Sequence, residues 1–170
     1  MNTIKDLLSN TPIDKTDARI LLGHLLEQCL GWPRSALISR DQEHLSESLI
    51  SQWRTLEERR LQGQPVAYLI GKKGFHGIEL TVSPAVLIPR PETELLVDFA
   101  IEEIGRRLAH SHESVELKVL DLGTGSGAIA LALAHALRES HQNTLKIAVI
   151  GIDASNDAIA LARENARALD

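Results

Sequence analysis

From Thr16 to Leu30, apolar residues recur at i, i+3, i+4 and i+7: Ala18, Leu21, Leu22, Leu25, Leu26 and Cys29 predict one amphipathic helix. Thr16 or Asp17 is placed to cap its start, and Gly31 to stop it ahead of Trp32-Pro33. A second helix is expected over Ser46 to Gln62, with Leu49, Ile50, Trp53, Leu56 and Leu61 on one face, Ser46 as cap and Gly63 as terminator. Pro65 can open one further turn through Leu69. The first 70 or so residues therefore read as a small helical bundle.

After Gly71 the period changes. Phe75 to Val82 alternates roughly as a strand does, Ser83-Pro84 breaks it, and Ala85 to Ile88 reads as a second short strand, giving a hairpin or β-arm. Pro89-Arg90-Pro91 halts regular structure. A helix follows from Glu92 to Leu108, with Leu95, Leu96, Phe99, Ile104 and Leu108 available for packing, and the polar stretch Ala109 to Glu116 reads as a loop. From Leu117 the plan is βαβα: strand Leu117–Leu122, turn Gly123–Gly127, helix Ala128–Arg138, strand Ile147–Ile152, helix Asp157–Leu169. The nearly continuous apolar run of the second strand suits a parallel sheet covered on both faces.

These elements predict an α/β chain: a helical domain over residues 1–72, a hairpin or linker over 73–91, and the first part of a doubly wound, Rossmann-like domain over 92–170. Two parallel strands are about a third of such a domain, and they leave sheet edges and apolar surface uncovered. A truncated chain is the expectation.

Composition narrows the class. The 170 residues are 44% hydrophobic and 24% charged, the balance of a globular protein, and no apolar run is long enough for a transmembrane helix. Charges near the start interrupt any signal-peptide pattern, so a cytoplasmic location is expected. Residues 1–75 carry ten basic and nine acidic side chains, while residues 76–170 carry eight and fourteen. Neither half is the basic surface that grips nucleic acid through phosphates. Cys29 is the only cysteine, which excludes an internal disulfide, and its place on an apolar stripe predicts a buried, inert thiol. His110 and His112 lie in a polar stretch without further ligands, so no metal site is expected.

The chemistry concentrates in Val119-Leu120-Asp121-Leu122-Gly123-Thr124-Gly125-Ser126-Gly127-Ala128, between a strand and a helix. Alternate glycines permit positive φ and close approach of a ligand to the backbone. The helix that follows offers free N–H groups and a positive dipole end to a carboxylate or phosphate. The next strand ends in Asp153, whose carboxylate can accept hydrogen bonds from ribose hydroxyls. The spacing is G-x-G-x-G preceded by Asp121, not the G-x-G-x-x-G of nicotinamide and flavin sites. That form points to S-adenosyl-L-methionine, whose short amino-acid tail replaces a pyrophosphate. Gly123, Thr124, Gly125, Ser126 and Gly127 would form the cradle. Asp121 would orient the turn or meet the cofactor's ammonium, and Asp153 would take the ribose. Asp153 follows Gly127 by 26 residues, beyond the roughly 20 usual in dinucleotide folds, with the polar Glu139-to-Lys146 segment absorbing the difference.

A second segment carries a family resemblance. Gly63-Gln64-Pro65-Val66-Ala67-Tyr68-Leu69-Ile70-Gly71, then Phe75, then Val86-Leu87-Ile88-Pro89-Arg90-Pro91-Glu92-Thr93-Glu94 ahead of Asp-Leu-Gly-Thr-Gly-Ser-Gly resembles the release-factor glutamine methyltransferase family (PrmC/HemK) over essentially the whole chain. The resemblance implies methylation of the glutamine amide in the Gly-Gly-Gln loop of class I peptide chain release factors, and hence a part in translation termination. It implies that the helical domain docks the release factor, and it makes Arg90, Thr93 and Glu94 candidates for lining the substrate site. A plainer reading of that stretch is a Pro-rich linker and a helix start, with Thr93 as cap. The family holds the substrate amide with an Asn-Pro-Pro-Tyr motif. No Asn-Pro-Pro occurs in this chain, so none of its residues is assigned as catalytic, and the chain alone is expected to be inactive. Two other readings stay open: an adenine-amino nucleic-acid methyltransferase of the same fold, and a non-catalytic release-factor-binding fragment.

Overall fold

The computed structural model describes residues 2–109, 116–139 and 146–169, so His110 and His112 and most of both expected polar segments lie outside the described residues. The chain divides into two compact units, Met1–Ile70 and Gly71–Asp170.

The first unit is helical: α1 (Ile4–Asn10), α2 (Lys15–Leu30), α3 (Ala36–Ser39), α4 (Glu47–Leu61) and α5 (Val66–Ile70). Thr3 caps α1 in a reciprocal box with Asp6, satisfying two backbone N–H groups that would otherwise lack partners. The cap of α2 is Asp14, not Thr16 or Asp17: its carboxylate accepts from the N–H groups of Thr16 and Asp17, which moves the helix start back to Lys15. Gly31 ends α2 in the left-handed region at φ 66°, as expected, and Ser46 caps α4 through the Leu49 N–H. Ile4, Leu7, Leu21, Leu22, Leu26, Leu49 and Trp53 form the centre of this unit's core. Trp32 lies at its margin, with the Arg40 guanidinium 4.5 Å from its ring centre.

Two expectations fail at the helix ends. Cys29 is exposed, its Sγ facing Gln52 Oε1 at 3.8 Å, and Leu61 is 58% exposed. Both occupy the last turn of their helix, and Cys29 there lines an open cavity with Leu25, Leu56 and Leu69. Glu57, one turn before Leu61, is buried along with Leu49 and Trp53 of α4, its carboxylate held by Arg54 at 2.7 Å.

The second unit opens with a tight antiparallel hairpin of β1 (Lys72–Phe75) and β2 (Ile78–Thr81), paired Phe75↔Ile78. The single strand expected over Phe75–Val82 is thus two strands with His76-Gly77 as the turn, both at positive φ. The strand expected at Ala85–Ile88 is absent; that stretch is turn and extended coil between Pro84 and Pro89. Nor is the hairpin a free arm, because Phe75, Ile78 and Leu80 belong to the second unit's core with Val97, Ile104, Ala132 and Leu133.

A 3₁₀ turn (Pro91–Thr93) leads into α6 (Glu94–Ala109). The helix expected from Glu92 therefore starts two residues later, and Thr93 lies in the 3₁₀ turn, its N–H donating to the Arg90 carbonyl. Leu95, Leu96 and Phe99 are exposed, while Val97 and Ile104 face inward with Ala100, Ile101 and Leu108 beside them. A helix buries one stripe, and the 97–100/101–104–108 stripe excludes the other three.

Then come β3 (Glu116–Leu122), α7 (Ala128–Glu139), β4 (Lys146–Ile152) and α8 (Asn156–Leu169). The two strands pair in parallel over seven positions, from Glu116↔Lys146 to Leu122↔Ile152. Leu117, Val119, Ile147 and Val149 pack into the core, whereas Leu120, Leu122, Ile150 and Ile152 on the opposite face are exposed. The expected burial of both faces is corrected to burial of one. No helix among the described residues is long and apolar enough to cross a membrane.

Candidate cofactor site

The site is the turn between β3 and α7 together with the tip of β4. Gly123, Gly125 and Gly127 all take positive φ (76°, 55° and 84°), which L side chains adopt only with strain. A Cβ on Gly123 or Gly125 would meet no neighbouring atom within 4 Å, so the space beside both is open. Gly127 has a second reason to lack a side chain: a Cβ there would lie 2.8 Å from Leu131 Cδ1.

The turn is fastened at several points. The N–H groups of Gly123 and Thr124 both donate to the Ile152 carbonyl, at 2.8 and 2.9 Å, tying the turn to the end of β4. Gly127 N–H donates to the Thr124 carbonyl at 2.8 Å. The Thr124 hydroxyl donates to Asp121 Oδ2 at 2.7 Å, which ties the end of β3 to the turn. Thr124 is buried, and it rests directly on Gly151: a Cβ at position 151 would lie 2.6 Å from Thr124 Oγ1.

Asp153 stands beside the turn. Its Oδ2 accepts from Gly125 N–H and its Oδ1 from Ser155 N–H, each at 2.9 Å. The Ser155 N–H first, and the Gly125 N–H second, hold this carboxyl below the usual Asp value, so it is ionised at neutral pH. A carboxylate oxygen accepts more than one hydrogen bond, so each retains capacity for a sugar hydroxyl. Ser155 also caps α8 through the Ala158 N–H.

The structure thus brings Asp121, Gly123, Thr124, Gly125, Ser126, Gly127 and Asp153 together in one fastened turn. Arg90 and Thr93 fall instead on the exposed and half-buried residues at the head of α6. Glu94 accepts the His76 N–H at 3.1 Å and so clasps the hairpin turn, assisted by Asp98, whose carboxylate lies 2.9 Å from His76 Nε2. A cavity of about 460 Å³ lies against β4, α7 and α8; Thr124, Gly127 and Asp153 form part of its lining, and Ala130, Leu131, Ala134, Val149 and Ala162 make most of the remainder apolar. Arg163 of α8 adds one cationic side chain to that wall.

Sequence reasoning missed two residues. Gly151 reads as one more residue of an apolar strand until Thr124 is seen resting on it. Asn165 is 2% exposed, and its amide bonds the turn and β2 together. Its signal was present: a polar residue at a core position of α8, in register with Ala158, Leu161 and Leu169.

A glycine-rich bend between a parallel strand and its helix, with an acid at the next strand's tip, defines the second unit as an α/β domain of the methyltransferase class, and residues 113–170 match a methyltransferase domain family. Residues 1–71 match the PrmC N-terminal domain. A release factor glutamine methyltransferase of Burkholderia pseudomallei is 41% identical over 167 residues, covering 98% of this chain and 52% of the relative. Proteins of the same name from Haemophilus influenzae (39% identical, 96% and 55% covered) and Bordetella pertussis (38%, 99% and 56%) are similar to the same extent. Over nearly its whole length the chain is thus similar to release factor glutamine methyltransferases, and it spans about half the length of the curated relatives it matches.

Proposed function

We propose that the chain binds S-adenosyl-L-methionine at the Gly123–Gly127 turn and serves, as part of a whole enzyme, to methylate the glutamine amide of the Gly-Gly-Gln loop in class I release factors in the cytoplasm. The observation that carries the cofactor assignment is the open, positive-φ turn whose Gly125 N–H is held by the ionised Asp153. The residues suit the group: Asp153 would accept ribose hydroxyls, and the turn with the start of α7 would receive the carboxylate tail. Asp121, through Thr124, keeps that turn in shape. The cofactor, when bound, supplies an electrophilic sulfonium methyl. The substrate assignment rests on the names of the relatives, and Arg90 and Thr93 are proposed to line the approach to the methyl group, with the helical unit docking the release factor. Glu94, which accepts the His76 N–H, is proposed to line the same approach.

Equilibrium binding of labelled S-adenosylmethionine tests the first part. The chain should bind it, and Asp153→Ala should weaken binding roughly tenfold or more through lost hydrogen bonds to an ionised acceptor. Equal affinity in the variant would overturn the ribose role. The chain alone should transfer no methyl to release factor; robust turnover would show that the substrate-gripping residues have been sought in the wrong place.

A further inference from the structure

Asn165 lies on α8, distant in sequence from every glycine of the turn, and its side chain is 2% exposed. Its Oδ1 accepts the Thr81 N–H at 2.7 Å, while Nδ2 donates to the Thr81 carbonyl at 3.0 Å and to the Ser126 carbonyl at 2.9 Å. The amide orientation follows from the partners, since one N–H requires the oxygen and two carbonyls require the nitrogen. Toward Thr81 the side chain acts as a strand neighbour would, exchanging both bonds with one residue. Its third bond falls on the cofactor turn.

That third bond has a specific mechanical effect. The Ser126–Gly127 peptide is gripped at both ends: its carbonyl by Asn165, and its N–H by the Thr124 carbonyl at 2.8 Å. A peptide plane pinned on both sides cannot flip, so the N–H groups that follow at the start of α7 keep their direction. We propose that Asn165 is a positioning residue for the cofactor site, coupling the Lys72–Thr81 hairpin and α8 to the glycine turn so that the turn is preorganised before ligand arrives. This rests on the assignment of the turn as the cofactor cradle. Asn165 itself touches no ligand. An apolar residue would leave the buried Ser126 carbonyl and both part-buried Thr81 groups without this partner.

The test combines amide exchange followed by NMR on the unliganded chain with cofactor titration. In the wild type the Thr81 N–H should be strongly protected although it ends its strand; rapid exchange there would overturn the latch. In Asn165→Ala, amides of residues 123–128 should exchange faster, those of Met1–Ile70 should be unchanged, and affinity for S-adenosylmethionine should fall about tenfold or more. Asn165→Ser, which restores one donor, should recover part of both losses, and it replaces the alanine variant if that one fails to fold. A folded variant with unchanged turn exchange and unchanged affinity would reduce Asn165 to a core residue. If the wild type binds no cofactor, the assignment of the turn fails, and the exchange data still decide the latch.

Discussion

Gly151 lies in a regular strand, yet an added methyl would sit 2.6 Å from Thr124 Oγ1 and 3.0 Å from its Cβ. Thr124 is fixed by its bond to Asp121 and its N–H to Ile152, so it cannot withdraw without opening the turn. Gly151→Ala should therefore reduce cofactor affinity far more than Gly105→Ala, whose new Cβ meets open space on α6. Parallel calorimetric titrations of the two variants check this. Thr124→Val keeps the shape and removes only the hydroxyl; the expected cost is about 1 kcal/mol in a urea melt of the second unit. Asp153 adds a pH dependence. Its carboxyl is lowered in the folded chain, so its contribution is complete above the ordinary Asp value near 3.8 and is lost as pH falls through the lower folded value. Turn stability should then be flat from neutral pH down to about 4 and decline below it. In Asp153→Asn the acid limb should shrink in a pH series of thermal melts, with Glu103, lowered to about 2 by Arg106 and Arg107, keeping its own share.

The elements show what a one-dimensional pattern can and cannot reveal. Strand, turn, helix and strand from residue 117 onward were readable because glycine spacing, an apolar run and a terminal acid are all local signals. The ends of helices were not. Asp14 takes the cap of α2 because its carboxylate reaches two N–H groups, a choice that Thr16 and Asp17 could equally have claimed from sequence. The single expected strand is two because the apolar alternation slips a phase between Phe75 and Ile78, across a two-residue turn of His76-Gly77 whose His76 is held by Glu94 and Asp98, both 18 or more residues away. Leu95, Leu96 and Phe99 looked like packing residues because hydrophobicity alone does not choose between two stripes of α6. Leu80, fully buried in the core against which α6 packs, offers a test of the hairpin's integral role: Leu80→Ala should cost about 2–5 kcal/mol in chemical denaturation followed by circular dichroism. A dispensable arm would give almost nothing.

At the scale of the molecule, each compact unit holds its own apolar centre, one built on Trp53 and the leucines of α2, the other on Phe75, Leu80, Val97 and Leu133. Residues 1–70 prepared alone should consequently melt cooperatively with helical circular dichroism; a gradual, uncooperative loss of signal would contradict an independent core. Both tryptophans of the chain, Trp32 and Trp53, lie in that first unit, together with the sole tyrosine, Tyr68. Indole emission is thus a private gauge of the helical unit. A melt followed at tryptophan wavelengths grades the integrity of that half, and a tryptophan introduced on the exposed side of α8 would give the glycine-bearing half a lamp of its own.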